Sequence, residues 1–167
     1  MALTQELQAA FNDQVTLELE SAHQYLALSA WLEAEGLPGM AHWMRLQSGE
    51  ETEHAMKFYR FLADRGATVE LGAIPKPKSE FESVVDVFRA SLAAEQRVTA
   101  AIHDIYSMAT DARDFASFPL LDWFVDEQVE EESTVQQIID DLQRIEGNGH
   151  ALLMLDRELG SRQEGED

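Results

Sequence analysis

Four stretches of this chain repeat apolar residues at alternating three- and four-residue spacing, the period that places side chains on one face of a helix. Glycine and proline interrupt them at few places: 36–39, an isolated Gly49, 66–77, 119, 147–149 and from 160 onward. The pattern predicts helices over about 4–35, 38–65, 83–111 and 117–146, a short fifth over 151–159, and a flexible tail over 160–167. Ser83 with Asp86 makes a start resembling a capping box, Pro119 suits a first helical turn, and Gly66 and Gly147 suit helix ends. Alternation with period two is sustained nowhere, so the reading is all-α, one domain spanning 1–167.

The connections set the topology. A tight turn at Gly36-Leu37-Pro38 and a short one before Pro119 make two antiparallel hairpins. The segment 67–80 can stretch roughly 45 Å, and a 28-residue helix is about 42 Å long, so this segment can cross the whole bundle. The expected architecture is a four-helix bundle with a long crossover that sets the third helix parallel to the second.

Each of the four stripes is broken by an acid. They read Leu7, Phe11, Gln14, Glu18, Ser21, Tyr25, Leu28, Leu32; Met40, Met44, Gln47, Glu51, His54, Phe58, Phe61; Val84, Phe88, Ser91, Glu95, Val98, Ile102, Ile105; and Leu121, Phe124, Gln128, Glu131, Val135, Ile138, Leu142, Ile145. A carboxylate buried without a partner costs roughly several kcal/mol, so four converging ones need positive charge, and Lys and Arg are absent from the stripes. A shift of 77 residues superposes Glu18 on Glu95, Glu50 on Glu127, Glu51 on Gln128, Glu53 on Glu130 and His54 on Glu131. This internal repeat of two hairpins brings Glu18, Glu51, His54, Glu95 and Glu131 to one depth. Glu51 and His54, three apart, share a helix face and can chelate one ion. Glu20 and His23 have the same spacing, but Glu20 lies about 200° around the helix from Glu18 and faces outward.

Charge and composition narrow the ligand. With 32 acidic and 12 basic residues the formal net charge is −20, which repels nucleic acid and anionic membranes and concentrates cations. There is no cysteine, so any metal sits on carboxylate and imidazole, a donor set that favours iron or manganese over structural zinc. The start Met1-Ala2-Leu3-Thr4-Gln5-Glu6 lacks a basic region followed by an apolar run, and no stretch approaches the roughly 18 apolar residues of a membrane span; a cytoplasmic location is expected.

A long-crossover bundle carrying Glu18, Glu51-x-x-His54, Glu95 and Gln128-x-x-Glu131 resembles ferritin, specifically the non-haem bacterial kind, over nearly the whole chain. Ferritin-like di-iron bundles place Glu-x-x-His on two helices. Here position 130 is glutamate where bacterioferritins have their second histidine, and Thr52 stands where they carry a haem-ligating methionine, so no haem is expected. The resemblance implies that Glu18, Glu51 and His54 hold one iron and Glu51, Glu95 and Glu131 the other. It also implies Gln128 as a hydrogen-bonding neighbour, Tyr25 as an electron donor, and a third iron position at Glu50, Glu127 and Glu130 beside Glu53. Trp123 reads as packing, and His42, His103 and His150 as surface or structural residues.

The activity so implied is oxidation of Fe(II) by dioxygen or hydrogen peroxide and storage of a ferric mineral in a homo-oligomeric shell of 24 subunits. Two other readings stay open. One is a free di-iron or di-manganese carboxylate oxidase of the same bundle type, and the other an acidic helical interaction module without metal.

Overall fold

The computed structural model describes residues 3–163 and 165. Helix α1 spans Gln5–Ala34, α2 Pro38–Asp64, α3 Val84–Asp111, α4 Phe118–Arg144 and α5 Gly149–Leu159. Side-chain oxygens start three of them: Thr4 accepts from the Leu7 amide, Ser83 from Asp86 and Asn148 from Ala151. Pro38 begins α2, where its missing N–H costs nothing. Gly36 takes φ +76°, the left-handed conformation that turns α1 into α2. Before α4 a 3₁₀ turn, Phe115–Ser117, follows Asp114, and Arg65 at the end of α2 grips Asp114 with two bonds of 3.0 and 2.7 Å.

Side-chain pairs fix the helix directions. Ser29 bonds to the Ala41 carbonyl and Ser48 to that of Ala22, so α1 and α2 are antiparallel. Tyr25 meets Glu95 while Glu20 meets Arg97, so α1 and α3 are antiparallel as well. α2 and α3 are therefore parallel, as the long crossover requires. Gln47 with Glu131 and Phe58 stacked on Phe124 close the bundle between α2 and α4.

The crossover is strapped along α1. Asn12 donates to the Thr68 carbonyl at 3.0 Å and accepts from the Glu70 amide at 2.7 Å. Further along, Thr16 accepts from Gly72, and Gln24 donates to the Lys78 carbonyl.

The core consists of two apolar blocks. One gathers Leu28, Leu32, Met40, Met44, Phe88, Ile138 and Leu142; the other Leu7, Phe11, Phe58, Val98, Ile102, Leu121 and Phe124. Between them lies a buried polar layer of Gln14, Glu18, Ser21, Gln47, Glu51, His54, Ser91, Glu95 and Gln128. Among the described residues no helix is long and apolar enough to cross a membrane.

The start of the segment expected as a flexible tail, 160–167, makes contacts with α2. Asp156 accepts from the amides of Gly39 (3.2 Å) and Met40 (2.8 Å) at the N-terminus of α2, which locks α5 onto that helix. The backbones touch there: a Cβ on Gly160 would lie 2.7 Å from the Gly39 Cα. Residues just beyond Gly160 are consequently laid along α2, and Arg162 is bonded to it. Residues 164, 166 and 167 lie outside the described residues.

Candidate metal centre

Each helix delivers its acid into the polar layer because the stripe that buries leucine and phenylalanine above and below also buries the residue between. Glu18, Glu51 and Glu95 are at most 1% exposed. One ligand atom each from Glu18, Glu51 and His54 lie within 4.8 Å of one another, and the same holds for His54, Glu127 and Glu131. His54 Nδ1 is 3.4 Å from Glu51 Oε2, and its Nε2 is 3.8 Å from Glu127 Oε1.

Hydrogen bonds position the layer from its edges. Gln14 donates to Glu18 at 2.8 Å, and Gln47 donates to Glu131 at 2.8 Å. The Tyr25 hydroxyl donates to Glu95 Oε1 and accepts from Ser91 at 2.9 Å. Gln128 reaches Glu95 Oε2 at 3.2 Å and Thr99 at 3.2 Å. Both oxygens of Glu95 are thereby occupied, and Glu131 is held by Gln47. Beside these contacts, His54, Glu127 and Glu131 form the second compact group. The ring of His54 packs edge-on against both Trp123 and Phe124, 5.5 Å from each.

The centre of the layer is short of partners. Both oxygens of Glu51, Glu18 Oε2, His54 Nδ1 and Gln128 Oε1 are buried without a hydrogen bond. Burial raises the pKa of Glu51 well above the ordinary carboxylate value, and the charges of Glu95 and Glu18 raise it further. Burial likewise raises Glu18, and burial with the charge of Glu95 brings Glu131 up to about 8. For His54 burial acts downward, but Glu127, Glu18 and Glu131 outweigh it and the value is raised. Burial also lifts the Tyr25 hydroxyl well above its ordinary value, so it stands as a neutral phenol. Orphaned oxygens, one imidazole nitrogen and crowded negative charge are the conditions a hard or borderline cation satisfies.

The acids at the rim are arranged differently. Glu50 is bonded to Arg162, while Glu127, Glu130 and Glu131 line a cavity of about 320 Å³ together with Arg162. Glu53 is exposed, with Arg60 3.9 Å away. Gln14, Gln47, Ser91 and Thr99 are partners that stripe reading left without a role, although three of them stand on stripes as polar exceptions. Arg162 carried no sequence signal at all.

Known proteins resemble this chain in sequence and in fold. The ferritin-like domain family matches residues 8–145. Bacterial non-heme ferritin of Staphylococcus aureus (strain USA300) is 39% identical over 160 residues, covering 96% of each chain. Its counterpart in Staphylococcus haemolyticus (strain JCSC1435) is likewise 39% identical over 160 residues, with 96% of each chain covered. The open pore ferritin from the hyperthermophilic archaeon Archaeoglobus fulgidus superposes with a TM-score of 0.95 at 39% identity, over 97% of this chain and 100% of that one. With the ferritin-like domain matched over most of its length and relatives at 39% identity over 96% of it, the chain belongs to the ferritin family.

Proposed function

We propose that this protein oxidises Fe(II) at the buried polar layer and stores the ferric product in a homo-oligomeric shell of 24 subunits. In this reading Glu18, Glu51 and His54 receive one Fe(II) and Glu51, Glu95 and Glu131 the other. Each iron gives up one electron. The pair of electrons, with two protons, converts dioxygen to hydrogen peroxide or hydrogen peroxide to water. Carboxylate oxygens favour the ferric product because hard donors hold Fe(III) more strongly than Fe(II). Gln128 orients Glu95, and Tyr25 holds that same carboxylate through its hydroxyl. Glu50, Glu127 and Glu130 form a third iron position on the way to the mineral. The observation that carries this reading is Glu51, buried in the middle of the layer with neither oxygen accepting a hydrogen bond and His54 Nδ1 3.4 Å from one of them.

The test is aerobic Fe(II) oxidation followed by the native mass of the loaded particle. Iron retained in a particle of many 18.8 kDa subunits supports storage. Rapid oxidation by a particle of dimer mass that retains no iron would favour a free oxidase instead.

A further inference from the structure

The chain places one of its own cations in the acidic mouth between the buried layer and the rim. Arg162 Nη2 donates to both oxygens of Glu50, at 2.8 and 3.0 Å, while Nη1 donates to the side-chain oxygen Oε1 of Gln47. The guanidinium lies over the Trp43 ring, 5.3 Å from its centroid, and the His42 ring bonds to the Arg162 carbonyl at 3.1 Å. Its side chain is 15% exposed. These contacts begin two residues after Gly160, whose backbone rests on Gly39, so the fold of α5 delivers the arginine to its place. The cavity it borders is the one lined by Glu127, Glu130 and Glu131. Gln47, bonded to Arg162 on one side, holds Glu131 on the other.

We propose that the Arg162 guanidinium is the resident counter-cation of this mouth, so that docking of the tail on Glu50 and binding of a metal ion by Glu50, Glu127 and Glu130 exclude each other. This rests on the reading of those three acids as a third iron position. The surroundings permit exchange. The pair is not sealed from solvent, its side chains being 15% and 23% exposed, so an incoming ion can reach Glu50. A multivalent ion meeting several carboxylates at once displaces it. Displacement also frees Gln47 from the arginine and loosens its hold on Glu131, which couples the rim to the buried layer. The tail thus acts as a plug that yields to metal and returns when the metal has moved on.

Terbium(III), a redox-inert stand-in for ferric iron that luminesces beside an excited indole, reads this competition in the full-length protein. Relative to the parent, Arg162→Gln should bind Tb³⁺ at the rim about tenfold more tightly, the factor that corresponds to about 1.4 kcal/mol. Glu127→Gln should lose that binding. In the parent, saturating Tb³⁺ should raise the rate of tryptic cleavage after Arg162 severalfold, because the docked side chain is withdrawn from the protease. If Glu127→Gln weakens binding while Arg162→Gln matches the parent, or if cleavage is unchanged by metal, the plug is overturned and the third position stands. If Glu127→Gln binds as the parent does, the third position itself fails and the plug with it.

Discussion

With neither oxygen accepting a hydrogen bond and the charges of Glu95 and Glu18 added to its burial, Glu51 is where substitution separates stability from activity. Glu51→Gln keeps the shape and removes the charge. Fe(II) oxidation should fall at least about tenfold, while the metal-free protein gains about 1 kcal/mol at pH near 8. Stopped-flow oxidation and chemical denaturation of one preparation check both, and a parent-like oxidation rate would move the centre elsewhere. Gly49 is a contrasting case. It is exposed within α2, and a Cβ built on it meets nothing within 4 Å. Gly49→Ala should therefore raise stability by about 0.5–1 kcal/mol, seen as a higher melting temperature. The acids of the layer were legible in the sequence because a charge on an apolar stripe has no solvated alternative once the helix is packed. The choice of Tyr25 and Gln128 as the partners of Glu95 was not, since it depends on which side chains meet across helices.

At the scale of elements, the crossover and α5 are each held by a few polar contacts at opposite ends of the bundle. Asn12→Ala removes both bonds to the crossover and should cost about 1–2 kcal/mol. Asp156→Ala removes the acceptor at the start of α2 and should cost about 1 kcal/mol. The two costs should add in the double variant, because the sites share no partner. Denaturation of the single and double variants gives the comparison, and a coupling well beyond about 0.5 kcal/mol would show that the ends communicate. Helices and crossover could be read from periodicity, glycine and proline, all of which are local. The 3₁₀ turn before α4 and the docking of α5 could not. The first is shaped by the grip of Arg65 on Asp114, the second by the contact of Gly39 with Gly160, and both join residues far apart in sequence.

For the molecule as a whole, two groups of carboxyls pull stability in opposite directions with pH. The Arg65 guanidinium holds Asp114 below its ordinary value of 3.8, so that contribution is present above this value and lost as pH falls. Glu131 is raised from 4.5 to about 8, so its carboxyl stays protonated in the fold where the unfolded chain has already ionised. The resulting penalty grows as pH rises from about 4.5 to about 8. Metal-free protein should be most stable in mild acid and decline toward pH 8, Glu131→Gln should flatten the decline, and a saturating divalent cation should abolish it. Denaturation midpoints across that range decide the matter. A midpoint that rises steadily to pH 8 without metal would show that the layer is not under charge stress. The expected bundle class and the depth shared by the acids rest on this balance of apolar and charged residues, which is a property of the sequence taken whole. The two apolar blocks on either side of the layer have one more consequence. They make assembly of the repelling acids an expense of folding, met once when the helices pack. On the proposed reading, each cation that arrives afterwards finds its ligands already gathered, so the centre would be filled and emptied through many cycles without being rebuilt.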